Sequence, residues 1–206
     1  MKTVFLKRVA IVAIAALSIV LLGSCSKDDP VNNPNDPGNP GTTVNQTFGV
    51  KKATVVYDFL GTTTLYFDNN GAQVCVEYIY GMSDIVPDER YIWDSSTKKA
   101  YYLDTTNKTY QEVTQAEVND KLAMFFFTEK IYSAAGSGFT KTTETIAGKS
   151  CSIYTGSVLG SETSIGGWSG ILFVMTMEGS DWIRAKSFSE TVPADIFKIP
   201  SGFAKQ

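Results

Sequence analysis

From Ala53 to Thr191, apolar side chains recur at every second residue in short runs, and this alternation constrains the fold more than any other feature of the chain. A strand points successive side chains to opposite faces, so Val55, Tyr57 and Phe59 commit one face to a core and leave the other to polar groups. Leu65 and Phe67 run into Asp68-Asn69-Asn70-Gly71, four strong turn formers, after which Val74, Val76, Tyr78 and Tyr80 resume the alternation. Tyr91–Asp94, Ala100–Asp104 and Tyr110–Val113 follow as strands, separated by the polar stretches Ser95–Lys99 and Thr105–Thr109. Further on, the period of two returns in Phe139–Ile146, Cys151–Val158, Ile171–Met177 and Trp182–Thr191. This pattern predicts a mainly β domain built as an antiparallel meander. Tyr66-Phe67-Asp68 and Tyr102-Leu103-Asp104 share their chemistry because both precede hairpin turns, and no repeat is inferred from them.

One segment breaks the alternation. Thr114 with Glu117 forms a capping box, and Val118, Leu122, Phe125 and Phe126 then fall on one helical stripe that Met124 and Phe127 widen. The spacing predicts one main helix around 115–132, buried over much of its circumference and stopped by the small residues from Ala134 to Gly138.

Ahead of residue 48 no core can form. Ser26–Thr47 contains Pro30, Pro34, Pro37 and Pro40 among Asn, Asp, Gly and Thr, the composition of a semi-extended tether with a reach of roughly 25 Å if flexible. Before it come Lys2, Lys7 and Arg8, then the apolar run Val9–Leu22, interrupted only by Ser18 and shorter than the roughly 20 residues a spanning helix needs. Leu22-Gly23-Ser24-Cys25 closes the run, and this order of signals resembles a bacterial lipoprotein precursor. The resemblance implies cleavage before Cys25, diacylglycerol and palmitate chains on that residue, and a membrane partner reached through the anchor. Two or three acyl chains hold stably where one does not. Ser26-Lys27-Asp28-Asp29 is similar to the Lys-acidic-acidic tag of lipoproteins sent to the cell surface, so an outer-membrane, outward-facing location is expected. The organisation read from the sequence is a signal peptide at 1–24, lipidated Cys25 with its tether at 25–47, and one domain at 48–206.

Charge and composition exclude several functions. The formal net charge of −3 becomes −6 once Lys2, Lys7 and Arg8 are removed, so nothing offsets nucleic-acid phosphates and no nucleic-acid partner is expected. The chain has no His, which removes Ser-His-Asp hydrolysis and His-ligated zinc. No cofactor motif stands out, and neither a cofactor nor a metal is expected.

A second resemblance rests on Ile146-Ala147-Gly148-Lys149-Ser150-Cys151-Ser152-Ile153-Tyr154 and on the ending Pro193-Ala194-Asp195-Ile196-Phe197-Lys198-Ile199-Pro200-Ser201-Gly202-Phe203. With many short strands and one apolar helix in mid-chain, these segments resemble the Lol-type lipoprotein-carrier superfamily, and within it a branch of outer-membrane lipoproteins. The resemblance implies an open, strongly curved sheet, a half-barrel, whose covering helix encloses an apolar hollow.

Chemistry-bearing combinations are few. Ser95-Ser96-Thr97-Lys98 matches a Ser-x-x-Lys nucleophile motif and Lys141-Thr142-Thr143 echoes a companion element, but that chemistry needs a buried helix, and Ser95–Lys98 reads as a turn. Gly148-Lys149-Ser150 lacks the earlier glycine of a phosphate loop and enters a strand. Asp68, Asn69 and Asn70 lack a downstream acid at calcium-loop spacing, and Asp84, Asp88 and Glu89 read as a solvated loop around Pro87. The domain is therefore expected to be no enzyme. Cys75 and Cys151 leave two alternatives, a disulfide favoured by export or two buried thiols, with their strand faces expected to hold them apart. Trp168, set among small residues in Ile165-Gly166-Gly167-Trp168-Ser169-Gly170, reads either as a ring gating a ligand from a flexible loop or as a ring packed on the core. Two functions follow: an apolar ligand, such as an acyl chain, in a pocket lined by Leu122, Phe125, Phe126 and Trp168, or a filled core and a non-catalytic interaction module displayed on the cell surface.

Overall fold

The computed structural model describes residues 48–82, 85–134 and 136–206, and Cys25, the signal segment and the tether lie outside them. The expected mainly β architecture is present as one open sheet of twelve strands. The first six form a meander: β1 (Ala53–Asp58), β2 (Thr62–Asp68), β3 (Gln73–Ile79), β4 (Glu89–Asp94), β5 (Lys99–Asp104) and β6 (Thr109–Val113). The last long strands form a second meander: β7 (Thr140–Ile146), β8 (Lys149–Val158), β9 (Ser161–Trp168), β10 (Ile171–Met177) and β11 (Ser180–Ser189). β11 pairs antiparallel with β1 and fuses the two halves, while the short β12 (Ala204–Lys205) adds a parallel edge to β6.

Local chemistry sets the hairpins. Asn69 and Asn70 take positive φ at 50° and 57° ahead of Gly71, a conformation that asparagine tolerates better than other side-chain-bearing residues. Leu159-Gly160, Ser169-Gly170 and Glu178-Gly179 each place two positive-φ residues between paired strands, matching the twist that tight hairpins need.

The helix starts where the capping box places it. The Glu117 N–H donates to Thr114 Oγ1 at 3.2 Å and the Thr114 N–H to Glu117 Oε2 at 2.7 Å. It runs as α1 (Gln115–Leu122), tightens into a 3-10 turn over Ala123–Phe125 and stops there, and a short α2 (Glu129–Ser133) follows. Phe126 is thus not on the helical stripe. It is extended at φ −90°, ψ 138° and bridges to Ile171, because a ladder position on β10 satisfies backbone groups that the tightening helix leaves open.

The sheet has a core on each face. On the inner face Val55, Leu65, Val76 and Tyr91 are paired in register, with Tyr57 and Phe67 on the same side, and this face meets α1, which packs against β4 and β5 while its final turn meets β10. β4 and β5 are five and six spacings from β10 in the sheet order, so the sheet is strongly bent around the helix. On the outer face Cys75, Ile92, Leu103 and Ile196 form a second buried cluster, which Val192, Phe197 and Phe203 of the C-terminal segment cover. In the second half the register puts Glu144, Cys151, Ile153, Gly166, Val174 and Arg184 on one face. Arg184 Nη1 reaches Glu144 Oε1 at 3.0 Å although β11 and β7 are four spacings apart, roughly 19 Å across a flat sheet. These five strands are therefore rolled about that face.

Candidate functional site

The inner-face residues singled out in the sequence are packed by other rings. Leu122 and Phe125 are both 0% exposed. The Phe125 ring lies 5.0 Å from Tyr57 and 6.5 Å from Phe59, and Phe48 stacks on Phe67 at 3.9 Å while standing 5.3 Å from Phe126. The Tyr57 hydroxyl donates to the Leu172 carbonyl at 2.9 Å, tying β1 to β10 over the same core.

Trp168 does not join them. It ends β9, a strand that the Ser, Thr and Gly content of Ser161–Trp168 concealed, and it is not in a flexible loop. Its ring meets Phe188 edge-on at 5.5 Å, and the Lys149 ammonium sits 4.4 Å from both rings while pairing with Glu190. Gly167, its neighbour, points the other way: a Cβ there would press into the Phe127 ring.

Cys75 and Cys151 are buried free thiols, so of the two alternatives the disulfide is absent. Six strand spacings separate β3 from β8, whereas a disulfide needs Cα atoms about 6 Å apart. Cys75 also does not lie on a solvated face, because the C-terminal segment buries the side it shares with the Glu77–Arg90 ion pair. Burial pushes the Cys75 thiol well up and that of Cys151 up to about 11. Ser95–Lys98 occupies the β4–β5 turn, with Asp94 bonded to Ser96, while Lys141 lies on β7 at the other end of the sheet order. Among the described residues, no three His, Cys, Asp or Glu side chains gather as a metal site requires.

A cleft of about 400 Å³ opens where α2 and the residues after it lie against β7 and β8. Its walls include Tyr132, Phe139 and Tyr154, with Ser137 and Lys141 at the margin. The sequence folds this way because Gly156 and Gly167 leave the inner face of the sheet bare. A Cβ on Gly156 would meet the Phe139 ring and one on Gly167 the Phe127 ring, so both aromatics lie flat on backbone. Tyr132 stacks on Phe127 at 5.9 Å, meets Phe139 edge-on at 5.4 Å and lies 5.9 Å from Tyr154. Tyr154 donates its hydroxyl proton to Glu129 Oε1 at 2.7 Å, and Lys141 Nζ lies 2.7 Å from the same oxygen. The Lys141 bond and the Tyr154 bond hold the Glu129 carboxyl below its ordinary range, while burial and the neighbouring carboxylate raise the Tyr154 phenol. Sequence reasoning missed this group: its members are 25 residues apart, and only Tyr132 and Phe139 bracketing a small-residue stretch hinted at it.

No family model matches the chain, and no curated protein matches it. Among solved structures, two crystal forms of PNGF-II align over 76% of this chain and 31% of theirs. The C2 form gives 13% identity and a TM-score of 0.40, and the P21 form gives 11% and 0.43. The chain thus spans under a third of the length of that structure.

Proposed function

We propose that this chain is an outer-membrane lipoprotein, cut before Cys25 and acylated there, whose domain is a non-catalytic interaction module facing outward from the cell surface. The observation that carries the reading is the filling of the inner face: Leu122 and Phe125, the side chains meant to line a hollow, are wholly enclosed by Tyr57, Phe59 and their neighbours. A pocket for an acyl chain needs several hundred cubic ångströms bounded by such rings, and rings packed on one another do not provide it. The unbroken order of basic start, apolar run, Leu-Gly-Ser-Cys box, acidic tag and Pro-rich tether supports the anchor.

Two further features fit display. Phe48 enters the domain at the end of the sheet marked by the β2–β3 and β9–β10 turns, where Gly49 donates to the Ser169 carbonyl. Hairpins alternate ends, so the β1–β2 and β3–β4 connections lie at the other end, and there Leu60, Ile79, Met82 and Ile85 are exposed, Ile85 at 80%.

Fractionation of cells expressing the full chain tests the anchor. Wild type should remain with membranes and be trimmed by protease on intact cells, and Cys25→Ser should become soluble; retention of Cys25→Ser in membranes would refute the anchor. Native mass spectrometry of the purified protein should show its covalent acyl chains alone, and a stoichiometric non-covalent lipid would restore the hollow in place of the filled core.

A further inference from the structure

We propose that the cleft between Tyr132, Phe139 and Tyr154 is a binding site for a neutral saccharide ring. The inference goes beyond the anchored interaction module and does not depend on where the protein is held.

Size and shape come first. About 400 Å³ is at the lower end of the range for specific ligand pockets and is enough for one or two sugar rings. Its lining includes three aromatic residues from different elements, the half-buried Tyr132 on α2 and Phe139 ahead of β7, and beneath them the buried Tyr154 on β8. Their positions are fixed from behind by Phe127 and by the bare backbone at Gly156, so no rotamer freedom is lost when a ligand arrives. Gly136 and Gly138, at φ of 82° and 74°, turn the chain along the cleft between Tyr132 and Phe139 in the left-handed region that glycine favours.

Charge then selects the ligand. An aromatic wall alone would also suit a cation, but Lys141 Nζ already stands 5.7 Å from the centre of the Tyr154 ring and repels a second positive charge. An anion meets Lys141 already neutralised by Glu129 at 2.7 Å, and the carboxylate beside it is unfavourable. A neutral ring with an apolar C–H face and a rim of hydroxyls matches what remains. The C–H face lies on the half-buried Tyr132 and Phe139 rings, and hydroxyls donate to the Glu129 carboxylate and accept from the Lys141 ammonium. Glu129 and Lys141 side chains are 47% and 53% exposed, so both are reachable from solvent.

The test uses the full-length protein in a detergent without a sugar head group, with maltose, cellobiose, chitobiose and mannobiose as probes in saturation-transfer NMR titrations. At least one disaccharide should bind saturably, Tyr132→Ala should weaken it tenfold or more, and Lys141→Met should weaken it several-fold. Trp168→Phe, on the other face, should leave it unchanged. Near-ultraviolet circular dichroism checks each variant's packing, and Lys141→Met, altering an exposed side chain, keeps the test open if Tyr132→Ala unfolds. Absence of saturable binding by all four disaccharides, or binding that survives both Tyr132→Ala and Lys141→Met, overturns the proposal. Neither result bears on membrane fractionation, so the anchored-module reading fails or stands separately.

Discussion

Replacing Phe125 by Ala measures whether the inner face is a core or a cavity wall. The ring is fully buried and touches Tyr57 and Phe59. An aromatic side chain removes at least about 150 Å² from water, which at roughly 25 cal/mol per Å² is about 4 kcal/mol. The two ring contacts contribute on the order of 1 kcal/mol more, and partial collapse of the site returns some of it, so a loss of about 3–5 kcal/mol is expected. With domain stability of order 5–15 kcal/mol, the variant should still fold. Equilibrium urea unfolding, followed by the near-ultraviolet signal of the tyrosines, should show the midpoint falling by about 2 M for a slope near 2 kcal/mol/M. Phe125→Leu, which keeps most of the volume, should cost under about 1.5 kcal/mol. A Phe125→Ala midpoint within about 0.5 M of wild type would refute the filled core, because only a ring facing open space can be deleted so cheaply.

Three other perturbations probe the outer face and the rolled half. Arg90 and Glu77 are each only 16% exposed, so Arg90→Met alone should cost about 2–3 kcal/mol by stranding the Glu77 carboxylate, and adding Glu77→Leu should recover most of it in the same assay. Gly166→Ala would drive a Cβ into Ile153 and against Val174 and should cost about 1–3 kcal/mol, with Ile153→Val restoring part; an unchanged midpoint would contradict the packing on that face. Burial raises the Cys151 thiol from its ordinary 9.0 to about 11, so the folded state keeps a proton that the unfolded chain releases. That contribution is complete below pH 9 and is lost as pH rises toward 11, so stability should fall across that window, less steeply in Cys151→Ala. A thermal midpoint that rises through the same window would contradict the sign.

Much of the fold was written locally. The period of two in β1 to β6 is a property of each strand, the Thr114–Glu117 box closes within one helical turn, and Asn69-Asn70-Gly71 turns because of its own backbone preferences. The features that escaped sequence reasoning depend on partners distant in the chain. β9 reads as a loop because Gly166 and Gly167 make room for Ile153 and Phe127, and their smallness is favourable only once those side chains arrive. Phe126 continues the helical stripe by spacing, yet Ile171 offers a ladder position that draws it out of the helix. Cys75 sits on what alternation marks as a polar face, and only the return of Ile196, Phe197 and Phe203 makes it a core. The cleft is the extreme case, because Tyr132, Phe139 and Tyr154 come together only when α2 folds back onto β8. The sequence alone determined the β class, the helix start and most of the turns, since each is decided by residues within a few positions of one another. Tertiary structure alone decided which faces are buried, how the sheet rolls and where a ligand could sit, since those depend on strand pairings whose order no local pattern encodes.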